Sequence, residues 1–188
     1  MKGNGGEALR LGMLEELKGS FLSISAVEAE KLVEEIAGAK KVFIYGLGRE
    51  RLMLLAFGMR LMHLGIKVHI VGDVSTPAIE RGDLWLTSSG TGRLATVEAL
   101  MGIVEASGAR TVFFTAFPDA PLPQRADLVI RIPARTMRED EGGTPSVQPM
   151  GSLFEQSQLL LFDWIVLLLA DRLGQTEAGM AGRHTNLE

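Results

Sequence analysis

Two glycine-rich stretches and one glutamate hold most of the side chains in this chain that can act on a ligand. Gly46-Leu47-Gly48-Arg49-Glu50-Arg51 and Ser88-Ser89-Gly90-Thr91-Gly92-Arg93 each follow an apolar run and precede a helical pattern. Glycines in such a place let backbone N–H groups and a helix N-terminus come close to an anion, and hydroxyls and arginine add donors. A dinucleotide fingerprint needs a third glycine where Arg51 stands, so that reading is poor, and a tight turn without a ligand is the alternative. Two such loops after neighbouring strands say more than either alone. Glu155 lies at the start of a very apolar helix. It is either a charge offsetting the helix N-terminus or a desolvated carboxylate whose pKa is raised for moving a proton, and composition does not choose. His63, late in a helix, reads by itself first as packing or a C-terminal cap, and His69 alternates within a strand and carries no signal.

These residues need a scaffold, and the rest of the chain supplies one. Helical periodicity covers Glu7–Phe21 and Ala26–Ala37, the second with Ser25 as its cap. Apolar runs at Lys41–Tyr45, Lys67–Val71, Asp83–Thr87, Arg110–Thr115 and Asp127–Ile132 then alternate with helical patterns at Arg51–Leu64 and Leu94–Ser107. Strands alternating with helices predict an α/β fold with a parallel sheet covered on both faces, and ligands of such sheets bind at the carboxyl ends of the strands. The connections Gly72–Gly82 and Ala116–Ala126 are short and proline-bearing, the latter with room for little more than a helical turn. One domain is expected over 1–188: helices in 1–38, an α/β core in 40–132, a polar loop and possible lid in 134–150, a helix in 151–173 and a tail in 174–188.

Composition narrows the function. The chain has 188 residues, 46% of them hydrophobic, enough for one substantial core. Its net charge of −4, with basic residues scattered, leaves no nucleic-acid footprint. With no cysteine, disulfides, cysteine-ligated zinc and thiol catalysis are excluded. The apolar run Leu159–Ala170 is 12 residues long and contains Asp163, short of the roughly 20 residues a bilayer span needs, so no membrane partner is expected. With no apolar signal segment behind a polar N-terminus, the expected compartment is the cytoplasm.

Several strings together resemble the 6-phospho-3-hexuloisomerases, a branch of the SIS (sugar isomerase) family. The loop Gly46–Leu52 resembles that family's G-x-G-R-S-G stretch. Met59-Arg60-Leu61-Met62-His63-Leu64-Gly65 is similar to its M-R-L-M-H-L-G helix, the most specific of these strings. Thr76-Pro77 matches a T-P after the second strand, and Ser89–Arg93 resembles its S-G-[ST]-G phosphate loop. Pro149–Glu155 looks like its P-[ML]-G-[ST]-x-F-E motif, and Arg183–Glu188 its R-H-x-N-L-E ending. The match runs in register from about Lys40 onward.

The resemblance implies a flavodoxin-like SIS fold, a five-stranded parallel sheet of order 2-1-3-4-5 flanked by helices. It implies an isomerase without metal or cofactor, usually a homotetramer whose sites pool residues from neighbouring subunits, acting on a small-molecule sugar phosphate. The reaction implied takes hex-3-ulose 6-phosphate to fructose 6-phosphate through a 2,3-enediol. On this reading Glu155 is the base, His63 shuttles a hydroxyl proton and Arg49 holds an oxygen or the phosphate. Gly48, Ser89, Thr91, Gly92 and Arg93 hold the phosphate, and His184 completes a neighbour's site. An isomerase for a different phosphosugar and a non-catalytic sugar-phosphate-binding module are the alternatives. Two departures bear on this. Glu50 stands where the family has serine and Leu94 where it has threonine, and both replaced residues donate hydroxyl hydrogen bonds. Glu50 is expected to pair with Arg49, Arg51 or Arg93.

Overall fold

The computed structural model describes residues 4–137 and 145–187. Five short strands, Val42–Tyr45 (β1), Val68–Ile70 (β2), Leu84–Ser88 (β3), Arg110–Thr115 (β4) and Leu128–Arg131 (β5), pair in parallel in the order β2-β1-β3-β4-β5. This is the implied sheet. Successive side chains of a strand point to opposite faces, so the sheet divides its apolar residues in two. Val42, Ile44, Leu84, Leu86, Val112, Phe114 and Ile130 face one core, while Phe43, Trp85 and Phe113 face another.

The helices are unequally shared between these faces. Helix α4 (Ala95–Ser107) covers the second face through Val97, Met101 and Val104. The first face carries α2 (Ala26–Gly38), α3 (Gly48–His63) and α5 (Ser152–Arg172), with α1 (Asn4–Leu22) laid against α5. Ser25 caps α2 as expected, its side chain accepting from the Glu28 amide. Helix α5 is long and apolar enough to cross a membrane, yet it lies against α1, α2 and α3 with Leu161, Phe162, Ile165 and Leu169 buried. Buried Ser157 on α5 donates to the Ser20 hydroxyl on α1 at 2.8 Å, which fixes the two helices against each other.

Three differences from the sequence reading matter. Helix α3 starts at Gly48 rather than Arg51, so Arg49 and Glu50 belong to its first turn and not to a loop. The polar tail contains a short helix, α6 (Glu177–Ala181), capped by Thr176, whose side chain accepts from the Gly179 amide. Part of the lid expected in 134–150, residues 138–144, lies outside the described residues; 145–150 run irregularly into α5. The fourth connection holds a single 3-10 turn, Pro123–Arg125, as its prolines require.

Candidate functional site

A cavity of about 310 Å³ opens at the carboxyl edge of β1 and β3. Its walls come from four places: Leu47 to Glu50 at the start of α3, Ser89, Thr91 and Leu94 after β3, Thr136 and Met137 after β5, and Gly151, Phe154 and Glu155 at the start of α5. Helices α3, α4 and α5 therefore all begin at this cavity. Each begins without a capping side chain, at Leu47, Leu94 and Gly151 respectively, whereas α2 and α6, away from the cavity, are capped by Ser25 and Thr176. Uncapped first-turn N–H groups and three converging helix dipoles make the cavity attractive to an anion.

The charged groups inside it are arranged closely. Arg49 reaches Glu155 at 2.7 Å and donates to Ser152 Oγ at 3.0 Å. Glu155 is only 9% exposed. Burial pushes its carboxyl above the ordinary value, and the Arg49 guanidinium draws it part of the way back. Of the two readings left open for Glu155, the desolvated carboxylate fits this environment. Its pairing with Arg49 has no signal in the sequence, because the two are 106 positions apart in the numbering. Met150, two positions before α5, holds φ 55, a conformation that non-glycine residues adopt at a cost and that recurs at functional sites.

Glu50 does not pair with an arginine as expected. It turns inward, where both carboxylate oxygens accept from the Gly90 amide at 3.0 and 3.1 Å and Ser88 Oγ donates to Oε2. The cause is position: the first turn of α3 lies directly over the end of β3, where two donors are offered. Burial pushes the Glu50 carboxyl up, the bonds from Ser88 and Gly90 pull it down, and Glu155 pushes it up again, with the net direction upward.

Of the remaining site residues read from the sequence, Gly48, Ser89 and Thr91 line the cavity, and the two hydroxyls lie 3.4 Å apart. Gly92 and Arg93 do not line it. The Gly92 amide is spent on the Ser89 carbonyl at 2.9 Å, and Arg93 is exposed. Gly92 is needed for another reason: its φ is +65, and a Cβ there would stand 2.6 Å from Ala120 Cβ. Gly92→Ala combines left-handed strain with overpacking, so it should cost about 2–4 kcal/mol of stability. An unchanged urea midpoint would show that the loop yields instead.

His63 and His184 are brought together, but far from Glu155. Their rings stack with centroids 5.2 Å apart, His63 Nδ1 lies 3.3 Å from an Arg60 guanidinium nitrogen, and the His63 carbonyl accepts from Arg183 at 3.0 Å. At 1.5 Å rise per residue, His63 is roughly 20 Å along α3 from Arg49. Within one chain it does not reach Glu155, so the shuttle role that the resemblance implies for His63 needs a second copy of the chain. Conversely, Thr136 was missed. It is 3% exposed, lines the cavity, and its Oγ1 has no hydrogen-bond partner among the described residues. Nothing in an irregular segment after β5 marks such a residue beforehand.

Known proteins share this architecture. Residues 35–159 match the SIS domain. A Bacillus subtilis protein named 3-hexulose-6-phosphate isomerase is 38% identical over 94% of this chain and 95% of its own length. A Mycobacterium gastri protein of the same name is 37% identical over 93% and 87% respectively. A crystal structure from Methanococcus jannaschii, for which a 3-hexulose-6-phosphate isomerase function was inferred, superposes with a TM-score of 0.81 at 28% identity, covering 97% of this chain and 99% of that one. With the domain match, these relatives and the parallel 2-1-3-4-5 sheet agreeing, the chain belongs to the SIS domain family of sugar isomerases.

Proposed function

We propose that the protein is a sugar-phosphate isomerase that interconverts hex-3-ulose 6-phosphate and fructose 6-phosphate. The observation that carries this reading is the convergence of three uncapped helix starts on a cavity that also holds a buried carboxylate, Glu155. The helix starts favour the phosphate and the carboxylate moves the proton. The names of the relatives at 37–38% identity select the substrate.

In this mechanism Glu155 takes the proton from C2 of the 3-ketose, leaving a 2,3-enediol, and returns it to C3. One carboxylate on one face of a planar intermediate serves both steps. Arg49, already on Glu155, steadies the oxygen that gains charge. Gly48, Ser89 and Thr91 hold the phosphate, and Thr136 offers a buried hydroxyl without a hydrogen-bond partner among the described residues. The hydroxyl proton passes between O2 and O3, and a second copy of the chain bringing its His63–His184 pair to this cavity supplies the shuttle.

The protein is accordingly a homo-oligomer, most simply a tetramer. Leu52, Met59 and Met62 on α3 and Leu160 and Leu167 on α5 are exposed, and apolar patches of this kind mark partner surfaces. Light scattering should give a multimer at micromolar concentration. Proton NMR of fructose 6-phosphate incubated with the protein should show the 3-ketose growing in. A stable monomer would remove the shared site, and ligand-induced stabilisation without turnover would make this a binding module.

A further inference from the structure

The seat taken by Glu50 is where an incoming anion would find donors. The Gly90 amide and the Ser88 hydroxyl, at the root of the loop after β3, both point at its carboxylate. The same cavity holds a second carboxylate, Glu155, and the arginine in its lining, Arg49, lies on Glu155. Among the described residues, Arg49 is the cation that lines the cavity. Arg93, after the loop, is exposed outside the lining, and Arg135, after β5, donates to the Ser146 carbonyl. The strand below offers a hydroxyl and an amide, not a cation. With Glu50 and Glu155 both ionised, the described residues of the lining carry one negative charge more than Arg49 balances. A dianionic phosphate entering there meets like charge in a partly dry site, where repulsion is several times what it is in water.

Resting on the sugar-phosphate reading above, we propose that Glu50 is an internal occupant of the anion cradle and takes up one proton when the ligand's anionic group binds. The balance is simple: Glu50 carboxylate plus one proton from solvent gives the carboxylic acid as the dianion enters. The acid keeps an oxygen for the Gly90 amide and gains an O–H to direct at the ligand or at Ser88. Burial and the facing Glu155, which already push this carboxyl upward, act in the same direction. Glu155 is less suited to be the acceptor, because Arg49 stabilises its charge. Glu50 thus makes ligand affinity depend on pH, a property a serine at this position could not confer.

The test is titration calorimetry of the full chain between pH 6.5 and 9, in buffer pairs of different ionisation enthalpy. Two probes are used: fructose 6-phosphate and sulfate, whose charge does not change in this range. Wild type should take up close to one proton per site in the upper part of the range, with affinity falling by up to tenfold per pH unit there. Glu155→Gln should keep an uptake but move it to lower pH, because the facing charge that pushes Glu50 up is gone. Glu50→Gln should lose the uptake, binding sulfate with little pH dependence and fructose 6-phosphate with only that of its own second phosphate ionisation at the low end of the range. A protonated-carboxyl infrared band growing as sulfate binds wild type reports the same event without a variant, should Glu50→Gln fail to fold. No uptake across the range, or equal uptake in Glu50→Gln, overturns the proposal. Proton-linked binding of sulfate without any binding of fructose 6-phosphate would leave Glu50 in its role and overturn the sugar-phosphate reading. If neither probe binds, the cavity is not an anion site and both fall.

Discussion

Glu155→Gln should lower isomerisation by about 10²–10⁴-fold, the usual worth of general acid–base catalysis, while fructose 6-phosphate still stabilises the protein. Glutamine keeps the shape of the side chain and its contact with Arg49, and it loses only the ability to hold and release a proton. The pH profile supplies a second readout. The base works as a carboxylate, and burial holds its pKa above the ordinary value. Turnover should therefore fall as pH drops through that raised value, earlier than for an exposed glutamate, and the limb should be absent from what activity the variant retains. Near-wild-type turnover in the variant would reduce Glu155 to a charge at a helix start.

The largest stability loss is expected from Phe162→Ala. Phe162 sits at the crossing of three elements: its ring stacks on Phe57 of α3 at 4.4 Å with 5° between planes, and it meets Phe114 of β4 edge-on at 5.0 Å. All three are buried to 1% exposure or less. Removing a fully buried phenyl loses its transfer energy and leaves a cavity that close-packed neighbours do not fill, about 3–5 kcal/mol in total. The urea midpoint followed by circular dichroism should fall accordingly. Ile103→Ala on α4 is the control, because Ile103 is 61% exposed and should cost about 0.5 kcal/mol or less. A loss below about 1 kcal/mol for Phe162→Ala would mean that the helix layer repacks freely.

Local structure was readable from the sequence because each element carries its own period. Arg110–Thr115 is strand at both ends as expected, and the other strands differ by one or two residues at their ends. Strand order was not readable from pattern; it came with the resemblance, since pairing is settled by long-range packing. The site was half legible. Gly48, Arg49, Ser89, Thr91 and Glu155 share motifs and a cavity. Glu50 was misplaced because its partners, Ser88 and Gly90, lie 38 and 40 positions away and nothing local points to them. That His63 does not serve the cavity of its own chain was legible from the start. The motif containing it continues the helix begun at Gly48, and helical rise alone carries it to the far end of that helix from the cavity.

The hydrogen bond between Ser20 and Ser157 joins residues 137 positions apart, and this has a consequence for synthesis on the ribosome. All five strands have been made once Arg131 has left the tunnel, yet the sheet face bearing Ile44, Leu86 and Phe114 lacks α5 until Arg172 follows. Helix α1, made first, must likewise wait for the helix it packs against. While residues 132–172 are being made the nascent chain therefore presents an unfinished apolar wall, the kind of surface on which chains associate wrongly. Prompt completion of α5 is thus a condition for a clean yield of folded protein, and slow codons placed between β5 and α5 would prolong the interval in which neighbouring nascent chains can stick.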